Sequence, residues 1–182
     1  MTNAPLYRIA DVRRDKSVLP VARGVYALYF DRAPGPAPMD GCLVRDGGSL
    51  LYIGTAGADL RLNGTLRKRL GDNHLGGNER RSTLCHTLAA LLPAMAGPAL
   101  GRMEKGRIKL HTSSDGAQAL RQWMDDHVAV CWTAFPRPGD LEEALIELHR
   151  PPLNIEFSAH PFAMQLSALR DGRRLACLQV MR

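Results

Sequence analysis

The chain has 182 residues, 45% hydrophobic and 23% charged, with a formal net charge of +6, which fits one ordinary globular domain with enough apolar material for a core. Residues 1–20 carry Arg8, Asp11, Arg13, Arg14, Asp15 and Lys16, which argues against a secretory leader, and no apolar run reaches the length of a membrane span. A soluble, cytoplasmic protein with no membrane partner is expected.

Gly24 to Phe30, GVYALYF, is rich in β-branched and aromatic residues and predicts a strand. Residues 31–48 hold three prolines and four glycines and predict a long loop, from which Leu50 to Ile53 returns as the antiparallel partner. Thr65 to Leu70 predicts a short helix with Leu66 and Leu70 at i and i+4, limited by Gly71, Gly76 and Gly77. Ser82 is placed to cap a second helix whose Leu84, Leu88, Leu91 and Leu92 share a face, and Pro93 with the Gly97-Pro98 pair ends it.

Arg107 to His111 alternates like a strand, Asp115 to His127 predicts a helix, and Val128 to Phe135 predicts a buried central strand. Asp140 predicts the cap of a helix running to about His149 and stopped by Pro151-Pro152. Pro161 to Arg170 predicts one more helix, and Leu175 to Val180 a last strand. No internal repeat interrupts this order, so the expected fold is α/β, or α+β, with a small mixed or antiparallel sheet flanked by helices.

Cys42, Cys85, Cys131 and Cys177 stand singly, without the spacing of a zinc site, and read as reduced thiols. Arginine bias alone could account for the net charge, but the basic residues cluster. Arg61, Arg67, Lys68, Arg69, Arg80 and Arg81 face only Asp72 and Glu79 between positions 61 and 81, and Arg102, Lys105, Arg107 and Lys109 form a second group. Two local patches suit tracking of a phosphate backbone.

Helical projection puts Glu142 between Leu145 and Ile146, in an arc that also holds Leu141 and Leu148, while Glu143 and Glu147 fall opposite. A carboxylate on an inward arc needs an ionic or hydrogen-bonding partner, although an acid in a first turn also serves the helix dipole. Tyr26 and Tyr52 could stack across the hairpin as core residues. Arg67 and Arg69 lie symmetrically about the Leu66 and Leu70 ridge, so periodicity does not choose between them.

Taken in order, GVYAL, LYIGTAG, LRKRL and LEEALIELHRPPLN resemble the motifs of the GIY-YIG endonuclease superfamily, with Val25 in place of isoleucine. The resemblance spans residues 24–154, with no motif between about 85 and 130. It implies that Tyr26 and Tyr52 are the motif tyrosines, Arg69 the catalytic arginine, Glu142 the metal ligand, Asn154 the asparagine bracing the site, and Gly54 the glycine that lets backbone and substrate approach closely. Some members use a histidine shortly after the arginine, and His74 lies five residues beyond Arg69; His86 and His149 are further candidates.

The resemblance implies a divalent-metal-dependent endonuclease acting on DNA, with RNA not excluded. A tyrosine, with Tyr26 favoured, would take a proton from water, its phenolate favoured by a nearby guanidinium and cation. Arg69 would stabilise the phosphate's transition state, and Glu142 would hold Mg²⁺ or Mn²⁺. Arg61, Arg67, Lys68, Arg80 and Arg81 are the expected phosphate contacts. A catalytic core over about 22–157, an insertion over about 85–130 and a C-terminal extension over 158–182 are expected within one domain. Cutting both strands with one small site calls for two copies, so a homodimer is an expectation. The alternative is an inactive family member that only binds nucleic acid.

Overall fold

A computed structural model describes residues 4–59, 64–77, 79–104 and 107–180. Its main element is a five-stranded antiparallel sheet in the order β1, β7, β2, β4, β3. In chain order its strands are β1 (Tyr7–Arg8), β2 (Gly24–Phe30), β3 (Val44–Arg45), β4 (Gly48–Ala56) and β7 (Val128–Ala134). A separate two-stranded hairpin pairs β5 (Leu100–Glu104) with β6 (Arg107–His111).

Every residue of β2 is buried because both faces of the sheet are covered. Tyr26, Leu28 and Phe30 point into a larger core with α1 (Ile9–Arg14), α2 (Thr83–Leu91), α4 (Ser114–His127) and α6 (Phe162–Val180). Val25, Ala27 and Tyr29 point into a smaller core under α5 (Pro138–His149). Strand alternation assigns the two sets, and it explains why this strand reads as an unbroken apolar run.

The pairing of β2 with β4 carries a bulge: Leu28 faces Tyr52 and Tyr29 faces Leu50, which leaves Leu51 as the extra residue. A one-residue slip reverses the facing of every side chain beyond it. Here the slip brings Tyr52 onto the Tyr26 face while Leu50 stays on the other. At its far end β4 begins in a two-residue turn, Asp46-Gly47, with φ of 48° and 80° that continues from β3. Asp-Gly suits such a turn, since both positions need positive φ.

Several expectations are corrected. β7 lies second from the sheet edge rather than at its centre, with only the two-residue β1 outside it, and its last residues emerge from the core. Gly71 does not end its helix: the turn after Leu66 continues as a π-helix, Arg67–His74, in which Leu75 N–H bonds to Leu70 O at 3.0 Å. Ser82 does cap α2, accepting from Cys85 N–H, and α2 does end just before Pro93, which opens a further short helix, α3 (Pro93–Ala96), as a first-turn proline can.

Asp140 is not the cap of α5, which starts at Pro138; the acid sits in the first turn, where it suits the helix dipole. Leu148 is 72% exposed, because it lies about 160° around the helix from Ile146, at the edge of the predicted arc. Residues 175–180 are helix, not strand. The stripe Leu166, Arg173, Cys177 keeps helical spacing through them, but its middle member is charged, which hides the period from a hydrophobic reading.

Candidate active site

A cleft of about 630 Å³ opens where β4, the π-helix, α5 and α6 meet. Tyr52, Thr55, Arg69, Glu142 and Asn154 line it, together with Arg170 and Arg174 from α6. Five residues singled out by sequence, Tyr52, Arg69, His86, Glu142 and Asn154, therefore share one cavity although they lie far apart along the chain.

Tyr26 stands behind Tyr52, fully buried, with the ring centroids 6.3 Å apart. Its hydroxyl meets His74 Nε2 at 2.5 Å, and His74 Nδ1 meets Ser82 Oγ at 2.6 Å. The π-helix makes this possible. Five residues turn about 140° away from alignment in an α-helix, but a helix closed by i→i+5 bonds brings residue i+5 back to the same side, so Arg69 and His74 converge on the tyrosines.

Gly54 lies directly opposite Tyr26 on β4. A Cβ there would sit 2.6 Å from Tyr26 Cζ and 2.9 Å from Tyr52 Cε1. The glycine therefore admits the pair of tyrosine rings.

Asn154 follows the buried Pro151-Pro152-Leu153 segment that ends α5. Its Oδ1 accepts from Ile53 N–H at 2.9 Å and its Nδ2 donates to Ile53 O at 2.8 Å, while Leu153 N–H donates to the bulged Leu51 O at 2.9 Å. The segment thus acts as a short strand along the open edge of β4, and fixes the strand that carries Tyr52, Gly54 and Thr55.

Glu142 projects from the first half of α5, and Thr55 Oγ1 donates to its Oε2 at 3.2 Å. Burial raises the Glu142 pKa above the ordinary carboxyl range; the Thr55 bond opposes this, the Glu156 charge adds to it, and Arg69 opposes it. Burial likewise raises Tyr26 well above its ordinary value and Tyr52 to about 12, with Arg69 pulling both down. The expected phenolate is therefore not favoured by the protein alone: desolvation outweighs the guanidinium. His74 is lowered well below its ordinary value, by burial first and then by Arg69, and stands neutral.

The remaining expected residues lie elsewhere. Arg67 donates to Leu19 O at 2.8 Å and Ser17 O at 3.1 Å, away from the cleft. Lys68 is exposed on the π-helix outside the cleft lining. Arg80 lines a neighbouring cavity, whereas Arg61 and the Arg81 side chain lie outside the described residues. His149 borders a different cavity, with Cys42 and His160. His86 does reach the cleft, its Nδ1 2.8 Å from Glu79 Oε2. Sequence reasoning missed Thr55, although it adjoins the YIG tripeptide, and it missed Arg170 and Arg174, for which no motif gives a signal.

The sheet, its paired tyrosines, the helix-borne arginine and the facing carboxylate define a nuclease-type catalytic domain. The model of the GIY-YIG catalytic domain matches residues 24–172, and the chain belongs to that family. No curated protein and no solved structure matches it. Members of this family cleave nucleic acid and generally use divalent metals. Among the described residues no helix is long and apolar enough to cross a membrane.

Proposed function

We propose that this protein is a divalent-metal-dependent endonuclease that hydrolyses DNA phosphodiester bonds. The observation that carries the reading is the convergence of Tyr52, Arg69, Glu142 and Asn154 on one cleft, with Tyr26 and His74 hydrogen-bonded behind it. Residues drawn from separate strands and helices have no packing reason to bring their polar ends together around one cleft.

The donor set suits a hard cation. Among the described residues no group of three or more His, Cys, Asp and Glu could hold a metal, which argues against a caged zinc or calcium ion. Mg²⁺ keeps most of its waters and needs only one or two carboxylates. Glu142, strained toward protonation by burial and by Glu156, is the carboxylate whose ionised form a cation would stabilise. Bound there, Mg²⁺ or Mn²⁺ supplies polarisation of the phosphate and of the leaving oxygen.

Tyr52 is the tyrosine that lines the cleft, and its hydroxyl is hydrogen-bonded to Tyr26. With His74 Nδ1–H donating to Ser82, Nε2 is free to accept from Tyr26. As water attacks phosphorus, its proton passes to Tyr52, whose ionised form Arg69 and the bound cation would favour against burial. Tyr26, donating to Nε2 of the neutral His74, is held in place beside it. Arg69 binds the non-bridging oxygens as their charge grows.

The test is cleavage of supercoiled, linear and branched DNA, with Mg²⁺ and with a chelator, by the protein and by Glu142→Ala. Mg²⁺-dependent cutting lost in the variant is expected. Retained Mg²⁺-dependent cutting by Glu142→Ala would sink the metal assignment, and binding without any cutting would favour the inactive, nucleic-acid-binding reading.

A further inference from the structure

Beyond the residues assigned above, the cleft continues. Thr83, His86, Arg170 and Arg174 border both it and a second cavity of about 380 Å³. Arg80 and Lys109 in turn border both that cavity and a third, of about 130 Å³, which Arg102 and His111 complete. The three form one groove, walled by α6 on one side and by the β5–β6 hairpin on the other.

Three of its cations, Arg102, Lys109 and Arg170, are placed at a cost. Arg102 and Lys109 are direct cross-strand partners in the hairpin, a position where like charges are destabilising unless an anion sits between them. Arg170 is half-buried, its pKa lowered by burial, yet its guanidinium makes no hydrogen bond or ion pair with the described residues. A desolvated cation without a hydrogen-bonded partner is costly. The charges of Tyr52, Asp171 and Glu156 oppose the effect of burial on Arg170 without overcoming it, and farther along the groove Glu79 is already held by Arg173 and His86 and Glu104 pairs with Arg80. Phe157 stands at the rim of the cleft, 51% exposed, with φ of 59°. A bulky side chain rarely adopts that conformation, and an exposed ring beside a cationic groove offers a stacking face for a base.

We propose that Arg170, Arg174, Arg80, Lys109 and Arg102 form a channel that carries one nucleic-acid strand away from the cleft, binding successive backbone phosphates, with Phe157 stacking a base at the entrance. The inference rests on the nuclease reading and deepens it: the insertion and the C-terminal helix bind the strand that the motif residues cut.

The test is fluorescence anisotropy of labelled single-stranded DNA, the same sequence as RNA, and duplex DNA, each over a salt series with a chelator present to suppress cleavage. The parent is compared with Arg102→Ala/Lys109→Ala and with Arg14→Ala, a loss of charge outside the groove. Losing two phosphate contacts is expected to flatten the single-strand slope of log K against log salt by about 1.4, on DNA and RNA alike if backbone alone is read, with Arg14→Ala unchanged. The double variant should also melt no lower than the parent, because a repulsive pair is removed.

An unchanged slope in the double variant, beside salt-dependent binding by the parent, overturns the channel and leaves the nuclease reading intact. A change on duplex alone overturns the single-strand assignment. Absence of salt-dependent binding by the parent overturns both the channel and the reading beneath it.

Discussion

The side-chain amide of Asn154 pairs with the main chain of Ile53 in both directions, accepting at 2.9 Å and donating at 2.8 Å, across 101 residues of sequence. No other residue type of that size offers both a donor and an acceptor in one plane. The pair is the join between the end of α5, which carries Glu142, and β4, which carries Tyr52 and Thr55.

Asn154→Ala is therefore expected to leave a buried N–H and a buried C=O unpaired, at about 1–3 kcal/mol for each orphaned group. Calorimetry should show a lowered melting temperature. Asn154→Asp keeps the acceptor but loses the donor, and should fall between. If Asn154→Ala melts with the parent, the amide is not what holds this edge.

Gly54→Ala should damage cleavage more than folding. Its Cβ would meet the rings of Tyr26 and Tyr52, so the rings must shift and the bond from Tyr26 to His74 must lengthen. Overpacking of this kind costs about 1–3 kcal/mol, which a domain of this size can tolerate. The expected readout is a fall in kcat with KM little changed; parental kcat would show that ring placement is not limiting.

Glu142 gives a prediction of opposite signs. Its pKa is raised, so the folded state holds the proton more tightly than the unfolded chain. Its contribution to stability is then present at low pH and is lost as pH rises through its folded value. Without metal at neutral pH, Glu142→Gln should melt at or above the parent while losing Mg²⁺-dependent cleavage. A variant that melts clearly lower would assign Glu142 a structural role instead.

Glu79 behaves in the reverse way. Burial alone would raise its pKa, but bonds from His86 and Arg173 prevail and hold it at about 2. A lowered carboxyl contributes stability above its unfolded value, near 4.3, and that stability is lost as pH falls toward 2. The shift corresponds to about 3 kcal/mol. Acid unfolding followed by circular dichroism should therefore be flatter between pH 5 and 2 in Glu79→Gln than in the parent. Arg173→Ala, which strands the buried carboxylate, should be the more destabilised of the two at pH 7.

How far the sequence reveals all this differs from element to element. The strands carrying Tyr26 and Tyr52 are legible because both their faces are apolar, and Ser82 because a capping serine before a leucine ridge leaves few alternatives. The bulge at Leu51 leaves no trace in composition, since Leu50, Leu51 and Tyr52 are all apolar whichever face each takes. The π-helix is hidden for a related reason: Gly71 reads as a stop in any helical register, and only the bond from Leu75 to Leu70 shows that the chain continues. Residues of α6 escape because Arg170 and Arg173 interrupt the apolar period with charges, and the Glu79 partner of Arg173 lies 94 residues earlier.

The placement of α6 also sets how small this domain can be made. Its motifs end at Asn154, yet the helix that begins at Phe162 supplies Leu166 to the core, Arg173 to Glu79, and Arg170 and Arg174 to the cleft. A version trimmed to the motif segment would strip one bank from the groove, open the core beneath it and leave a buried carboxylate uncompensated. The tail is thus part of the smallest working unit, and a deletion series should show activity and solubility failing together once the cut passes residue 173.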